Sequence, residues 1–110
     1  MPIAAQSPML FQAIVEQSAD AIIFADPQGI IRVWNAASER LFGFSAADAL
    51  GQSLDIIIPE RLREPHWRGY DAAMQSGKTR HAGRPTVTKA THQSGETIYV
   101  QMSFAVVAFP

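Results

Sequence analysis

Three histidines, His66, His81 and His92, are the side chains of this chain best suited to metal ligation near neutral pH. They are scattered and lack paired carboxylates, so they form no recognisable hydrolytic metal set. The sequence has no cysteine, which excludes disulfides, thiolate metal sites and cysteine nucleophiles together. No nucleophile elbow or glycine-rich phosphate loop is present either, and an enzyme is not expected. Of the three histidines, His66 is the one placed for chemistry. It shares helical spacing with Tyr70 and Ala73, at i, i+4 and i+7, on a face that should look inward. An imidazole there can donate to a metal, or it can be a packing residue with one nitrogen hydrogen-bonded. His81 follows the helix-ending Gly77, and His92 sits beside a turn at Ser94-Gly95. Met102 offers a soft thioether that can ligate a metal or fill an irregular gap in a core. Arg61, Arg63, Arg68 and Arg80 could pair with a carboxylate ligand or make a solvated face balanced by Glu60, Glu64 and Asp71. Trp34 and Trp67 could stack on a flat ligand or anchor a core or an interface.

The elements that must position these residues follow from local pattern. Ser7-Pro8 reads as a cap and first helical position, and Leu10, Phe11, Ile14 and Val15 then recur at helical spacing. The apolar runs Ala21 to Ala25 and Ile30 to Trp34 read as strands joined by the turn Asp26-Pro27-Gln28-Gly29. Asn35 caps a helix through Phe42 that Gly43 ends, and Ser45 caps a second short helix ending at Gly51. A longer helix is expected from Pro65 to Ser76, with Pro65 restarting or kinking a segment that opens at Pro59. Pro85 to Thr91 and Thr97 to Phe109 read as strands joined by Gln93-Ser94-Gly95-Glu96. In the last strand Ile98, Val100, Met102, Phe104 and Val106 alternate with Tyr99, Gln101 and Ser103, giving one core face and one wet face. This order of elements makes an α+β fold, an antiparallel sheet with short helices on one face.

Length and charge bound the rest. The 110 residues fit one domain, expected over residues 10–110 behind a lead-in at 1–9. Nine Lys plus Arg against ten Asp plus Glu give a formal charge of −1, too little basic excess for direct nucleic-acid binding. Met1 to Gln6 lacks signal-peptide character and no apolar run approaches a membrane span, so a cytoplasmic protein without membrane attachment is expected.

Residues Asp26-Pro27-Gln28-Gly29-Ile30-Ile31-Arg32-Val33-Trp34-Asn35-Ala36-Ala37-Ser38-Glu39-Arg40-Leu41-Phe42-Gly43-Phe44 resemble the opening hairpin and first helix of the PAS family. Gly51-Gln52-Ser53, Ile58-Pro59-Glu60 and Gln93-Ser94-Gly95-Glu96 are similar to later family positions, so the resemblance covers nearly the whole chain. It implies a sensory domain that binds a small ligand or cofactor and regulates a linked kinase, cyclase or DNA-binding output, in two-component or transcriptional signalling. A ligand-free module for protein interaction and dimerisation is the alternative, since fold does not fix the ligand. The last, central strand of the family has no counterpart before Pro110, which suggests a chain truncated at its C-terminal end.

The segment Ile58-Pro59-Glu60-Arg61-Leu62-Arg63-Glu64-Pro65-His66 is similar to that of haem-binding PAS oxygen sensors. In these the histidine seven positions after the proline is the axial ligand, which here implies His66 as ligand to a haem b iron. The resemblance places Met102 at a pocket-facing position of the late strand, where the oxygen sensors usually carry an aliphatic residue; its thioether could serve as a sixth ligand or fill the core, with Phe104 and Tyr70 lining the pocket. Thr86 stands where the oxygen sensors carry an arginine, and Arg84 lies two residues earlier on the same expected strand face. A diatomic gas or another small molecule is the implied ligand. A homodimer through Leu10, Phe11, Ile14 and Val15 is expected as well.

Overall fold

In the computed structural model, which describes residues 8–78 and 84–107, the first hairpin is organised by Asp26. Its carboxylate Oδ1 accepts from the backbone N–H groups of Gln28 at 2.9 Å and Ile30 at 3.0 Å, while the Gly29 N–H donates to the Asp26 carbonyl at 2.8 Å. Gly29 has φ 79°, a left-handed conformation open to glycine without a steric penalty. The turn joins β1 (Ile23–Ala25) to β2 (Ile31–Trp34), which pair antiparallel with Ile23 opposite Trp34 and Phe24 opposite Val33. A register shift between Phe24 and Ala25 sets Ala25 opposite Ile31 and leaves Arg32 as the extra residue. Ile31 and Trp34 are thereby buried, and Arg32 turns outward to donate from Nε to Asp26 Oδ2 at 3.0 Å. Both strands are shorter than their apolar runs. Ile30 makes an isolated bridge with Ser53 instead.

The chain divides into two compact units, one ending at Leu54 and the other beginning at Asp55. In the first, α1 (Pro8–Gln17) precedes the hairpin and buries none of its side chains. Pro8 and Met9 are the first residues of this helix, and the expected cap Ser7 lies outside the described residues. Asn35 caps α2 (Ala36–Phe42) by accepting from the Ser38 N–H at 3.0 Å. Gly43, at φ 83°, ends α2 by donating to the Glu39 carbonyl at 2.9 Å. Ser45 caps α3 (Ala46–Ala49), and the Glu39 carboxylate also accepts from the Ala46 N–H at 2.6 Å. Ile31, Trp34, Ala37, Phe42 and Ala49 are the buried apolar residues of this unit. The Trp34 ring lies 5.5 Å from that of Phe42, and its indole N–H donates to the Phe44 carbonyl at 2.9 Å.

In the second unit two 3-10 turns, Leu54–Ile57 (which starts one residue before the boundary) and Glu60–Leu62, lead into α4 (Arg63–Ser76). The helix starts two residues before Pro65 and needs no restart there. Pro65 is its third residue, where a backbone N–H would have no partner within the helix, so proline costs no hydrogen bond. β3 (Thr86–Thr91) and β4 (Thr97–Met102) form a regular antiparallel hairpin running from Thr91 opposite Thr97 to Thr86 opposite Met102. Its turn is closed by the Gly95 N–H donating to the His92 carbonyl at 2.8 Å.

Neither strand of this hairpin is as long as its sequence pattern suggests. Pro85 precedes β3 and has no N–H to extend the ladder, so β4 ends at Met102 and residues 103–107 are not strand. Ala108 and Phe109, the end of the expected strand, lie outside the described residues. The fold is α+β, with two antiparallel two-stranded pairings among the described residues. Among those residues no helix is long and apolar enough to cross a membrane.

Candidate ligand-facing site on the long helix

Half of the α4 surface is set apart by periodicity. His66, Trp67, Tyr70 and Ala73 are partly buried, whereas Arg68, Gly69, Asp71 and Ala72 are exposed, as one helical stripe requires. The three rings form a cluster: His66 meets Trp67 edge-on at 4.6 Å between centroids, Tyr70 lies 5.8 Å from His66, and Trp67 lies 5.2 Å from Tyr70. Asp55 from the preceding turn holds the Trp67 ring of this cluster, and Arg63 at the start of α4 ties the helix to that turn. The Trp67 indole N–H donates to Asp55 Oδ1 at 2.8 Å, and Arg63 donates to the backbone carbonyls of Ile58 at 3.1 Å and Asp55 at 3.2 Å. Arg63 is therefore occupied with the turn, while Arg61 and Arg68 are exposed and Arg80 lies outside the described residues. Trp67 is a held anchor of the cluster, and Trp34 is a core residue of the other unit.

His66 is the unusual member. Its Nδ1 is buried and has no hydrogen-bond partner among the described residues, a condition that costs stability unless something else satisfies the atom. Burial also pushes the imidazole below its ordinary titration range, against the opposing pull of the Asp55 carboxylate. Burial thus favours the neutral ring, which carries one N–H and one electron pair on its two nitrogens. His92, by contrast, is engaged in its own turn, where Nδ1 lies 3.0 Å from Ser94 Oγ and accepts from the Ser94 N–H at 3.0 Å. His81 lies outside the described residues.

The other residues expected at the site are on or beside the β3–β4 hairpin. Thr86 and Met102 are cross-strand partners and share a face with Thr88, Ala90, Ile98 and Val100, all of them buried or half-buried. The opposite face carries the exposed Val87, Tyr99 and Gln101. Thr86 and Met102 are both half-buried on the first of these faces. Arg84 does not share it, because the strand begins at Thr86 and Arg84 is an exposed residue before it. Phe104 lies beyond the end of β4 and is exposed, so strand alternation does not govern it.

Asp55 was not visible to sequence reasoning, since a single acidic residue in a 3-10 turn belongs to no periodic pattern. Its place twelve residues before Trp67 becomes informative only once the turn is folded.

A family model described as the PAS fold matches residues 10–108. The chain is similar to the sensor protein FixL of Bradyrhizobium diazoefficiens, with 42% identity over 55 residues that make up 50% of this chain and 11% of that protein. It is also similar to the oxygen sensor protein DosP of Escherichia coli, with 22% identity over 99 residues, 90% of this chain and 12% of that protein. The chain thus spans only a small part of the length of these curated relatives. Among solved structures, the PAS domain of a protein from Colwellia psychrerythraea superimposes with a TM-score of 0.70 at 23% identity, covering 84% of this chain and 75% of that one. An RNA-binding light-oxygen-voltage receptor gives a TM-score of 0.66 at 21% identity, over 92% of this chain and 28% of that one. At these identities the structural likeness shows a common fold.

Proposed function

The chain belongs to the PAS family and is a PAS sensory domain; on that premise we propose that it is the signal-input module for a linked output, taking a small ligand or cofactor against the His66 face of α4. The observation that supports this reading is the buried, unpartnered Nδ1 of His66 on an imidazole that burial keeps neutral. A module of this kind binds and reports, so no catalytic residue set is assigned. Occupancy would bias the balance between two arrangements of the domain, and the linked kinase, cyclase or DNA-binding segment would respond to that balance.

Haem b is the cofactor that suits these residues best. Among the described residues no three histidine, cysteine or acidic side chains gather to cage a bare metal ion, whereas a porphyrin brings four nitrogen donors and asks the protein for one. His66 would be that donor, with Tyr70 and Trp67 as the aromatic side chains beside it, and the Met102 thioether on the inner face of β4 would be a second donor. When bound, haem would supply a redox-active iron able to take a diatomic gas. The name of DosP as an oxygen sensor agrees with this class of signal. Thr86, at the position where a gas-holding arginine would be implied, offers only a short hydroxyl, so a redox or non-oxygen signal is favoured over oxygen itself. Native mass spectrometry and iron analysis of the purified protein, with and without added haemin, test the reading. A one-to-one haem adduct is expected, and a protein that retains no small molecule under either condition would refute it.

The second reading, a ligand-free dimerisation module, is favoured by α1, whose Phe11 and Ile14 are 47% and 55% exposed beside Met9 and Leu10. Dimerisation through α1 and ligand binding on α4 are tested separately. Light scattering at micromolar concentration should give twice the chain mass for the native protein. It should give one chain mass for a Phe11→Ser, Ile14→Ser double variant. A native protein that is strictly monomeric would remove the dimer.

A further inference from the structure

The contact between His66 and Trp67 is one that an α-helix does not make by default. Consecutive residues point about 100° apart around a helix, so neighbours at i and i+1 do not face each other. Yet the His66 and Trp67 rings lie 4.6 Å apart between centroids and meet edge-on at 78°. The contacts of Tyr70, three residues after Trp67 and four after His66, need no special cause, since those are the spacings of one helical face. What draws the Trp67 ring toward its neighbour lies outside the helix. Its indole N–H donates to Asp55 Oδ1 at 2.8 Å, twelve residues earlier. Asp55 is itself held, because Arg63 Nη2 donates to its carbonyl at 3.2 Å and Arg63 Nε lies 3.9 Å from Oδ1.

A histidine ring turns easily about its last side-chain torsion, whose energy wells are broad. In a ligating histidine, a hydrogen bond at the other nitrogen commonly fixes that torsion. His66 has no such bond at Nδ1, which lacks a hydrogen-bond partner among the described residues. The angle of the imidazole is therefore left to the rings packed on it, and of these Trp67 is the nearer. We propose that Asp55 is the positioning residue of the His66 site: by holding the Trp67 indole, it sets the angle at which the imidazole meets a ligand. The inference rests on the reading that His66 is the ligand-facing group. Asp55 acts here through a hydrogen bond and a ring contact, although its carboxylate also lies close enough to favour a proton on His66.

Nuclear magnetic resonance of the ligand-free whole chain, followed by haemin titration at about pH 8, above the ordinary histidine range, tests the proposal. In the native protein the Trp67 indole N–H should exchange at least about fivefold more slowly than a free indole, with strong Overhauser contacts between the His66 and Trp67 rings. Asp55→Ala removes the acceptor from a half-exposed position and leaves no cavity in a core. It should lose that protection and those ring contacts, and should bind haemin about tenfold more weakly, as when a supporting partner of a metal ligand is removed. Trp67→Phe keeps a ring but has no N–H, and should lose a similar share of affinity. Asp55→Asn keeps an acceptor without the charge, so it should hold the native ring contacts and bind haemin within about twofold of the native protein. An unprotected indole N–H and absent ring contacts in the native protein would overturn the proposal whether or not the variants fold. So would Asp55→Ala with native ring contacts or native affinity, or Asp55→Asn as impaired as Asp55→Ala. If the native protein binds no haemin, the haem reading fails, and the ring contacts of the native protein and the two Asp55 variants decide the positioning role by themselves.

Discussion

At His66 the physical tension is between a packing role and a chemical one. A buried nitrogen without a partner is a liability in a residue that merely packs, and an asset in one that must donate to a ligand. The lowered titration range has a testable consequence whichever role it serves. The unfolded imidazole takes its proton near pH 6.5, as an unperturbed histidine does, whereas the folded one takes it only at lower pH. Between those values the unfolded state binds more protons, so the contribution of neutral His66 is fully present above about pH 6.5 and is lost as pH falls through the folded pKa. Urea midpoints at pH 7.5 and 5.5 should show this loss in the native protein and a smaller one in His66→Phe, which keeps the contacts with Trp67 and Tyr70. Equal losses would mean that His66 does not titrate as its burial requires. The half-buried place of His66 was legible in the sequence because its spacing to Tyr70 and Ala73 is a local, periodic property. The support from Asp55 was not legible, because it depends on how a 3-10 turn folds back toward Trp67.

At the scale of elements, caps and turns carried the most sequence information. Asp26 and Gly29, Asn35 and Gly43, and Ser45 each act within four residues, so their chemistry is written where it operates. Strand ends were less readable. The alternation from Ile98 to Val106 continues past Met102, but a strand lasts only as long as its partner, and Pro85 ends the partner. Pro65 misled in the opposite direction, since a proline that looks like a helix breaker is harmless at the third helical position. Pro65→Ala should accordingly change stability by no more than about 0.5 kcal/mol in a denaturant titration, as for an ordinary surface substitution. A loss above about 2 kcal/mol would show that the proline fixes the start of α4 in a way its hydrogen bonding does not reveal. Phe42→Ala should behave differently, because the ring is 1% exposed and packs on Trp34 at 5.5 Å. A cost of about 3–5 kcal/mol is expected, enough to unfold a marginally stable domain. A midpoint within error of the native protein would place the core of the first unit elsewhere.

For the molecule as a whole, membership of the PAS family accounts for the order of elements from residue 10 to 108, and it leaves the signal to be decided by particular side chains. The side chains proposed to decide it are His66 with its aromatic neighbours on α4 and the Thr86–Met102 pair on the hairpin. The central claim is that His66 is the group that meets the cofactor, and haemin titration of His66 variants tests it most directly. The native protein should give a sharp Soret band saturating at one haemin per chain, and His92→Ala should give the same band because His92 is engaged in its own turn. His66→Gly should lose the band and regain it on addition of free imidazole, which can occupy the space of the missing ring. If native protein and His66→Gly give the same broad, unsaturable spectrum, and imidazole changes neither, His66 is a packing residue and the site proposed on α4 is wrong.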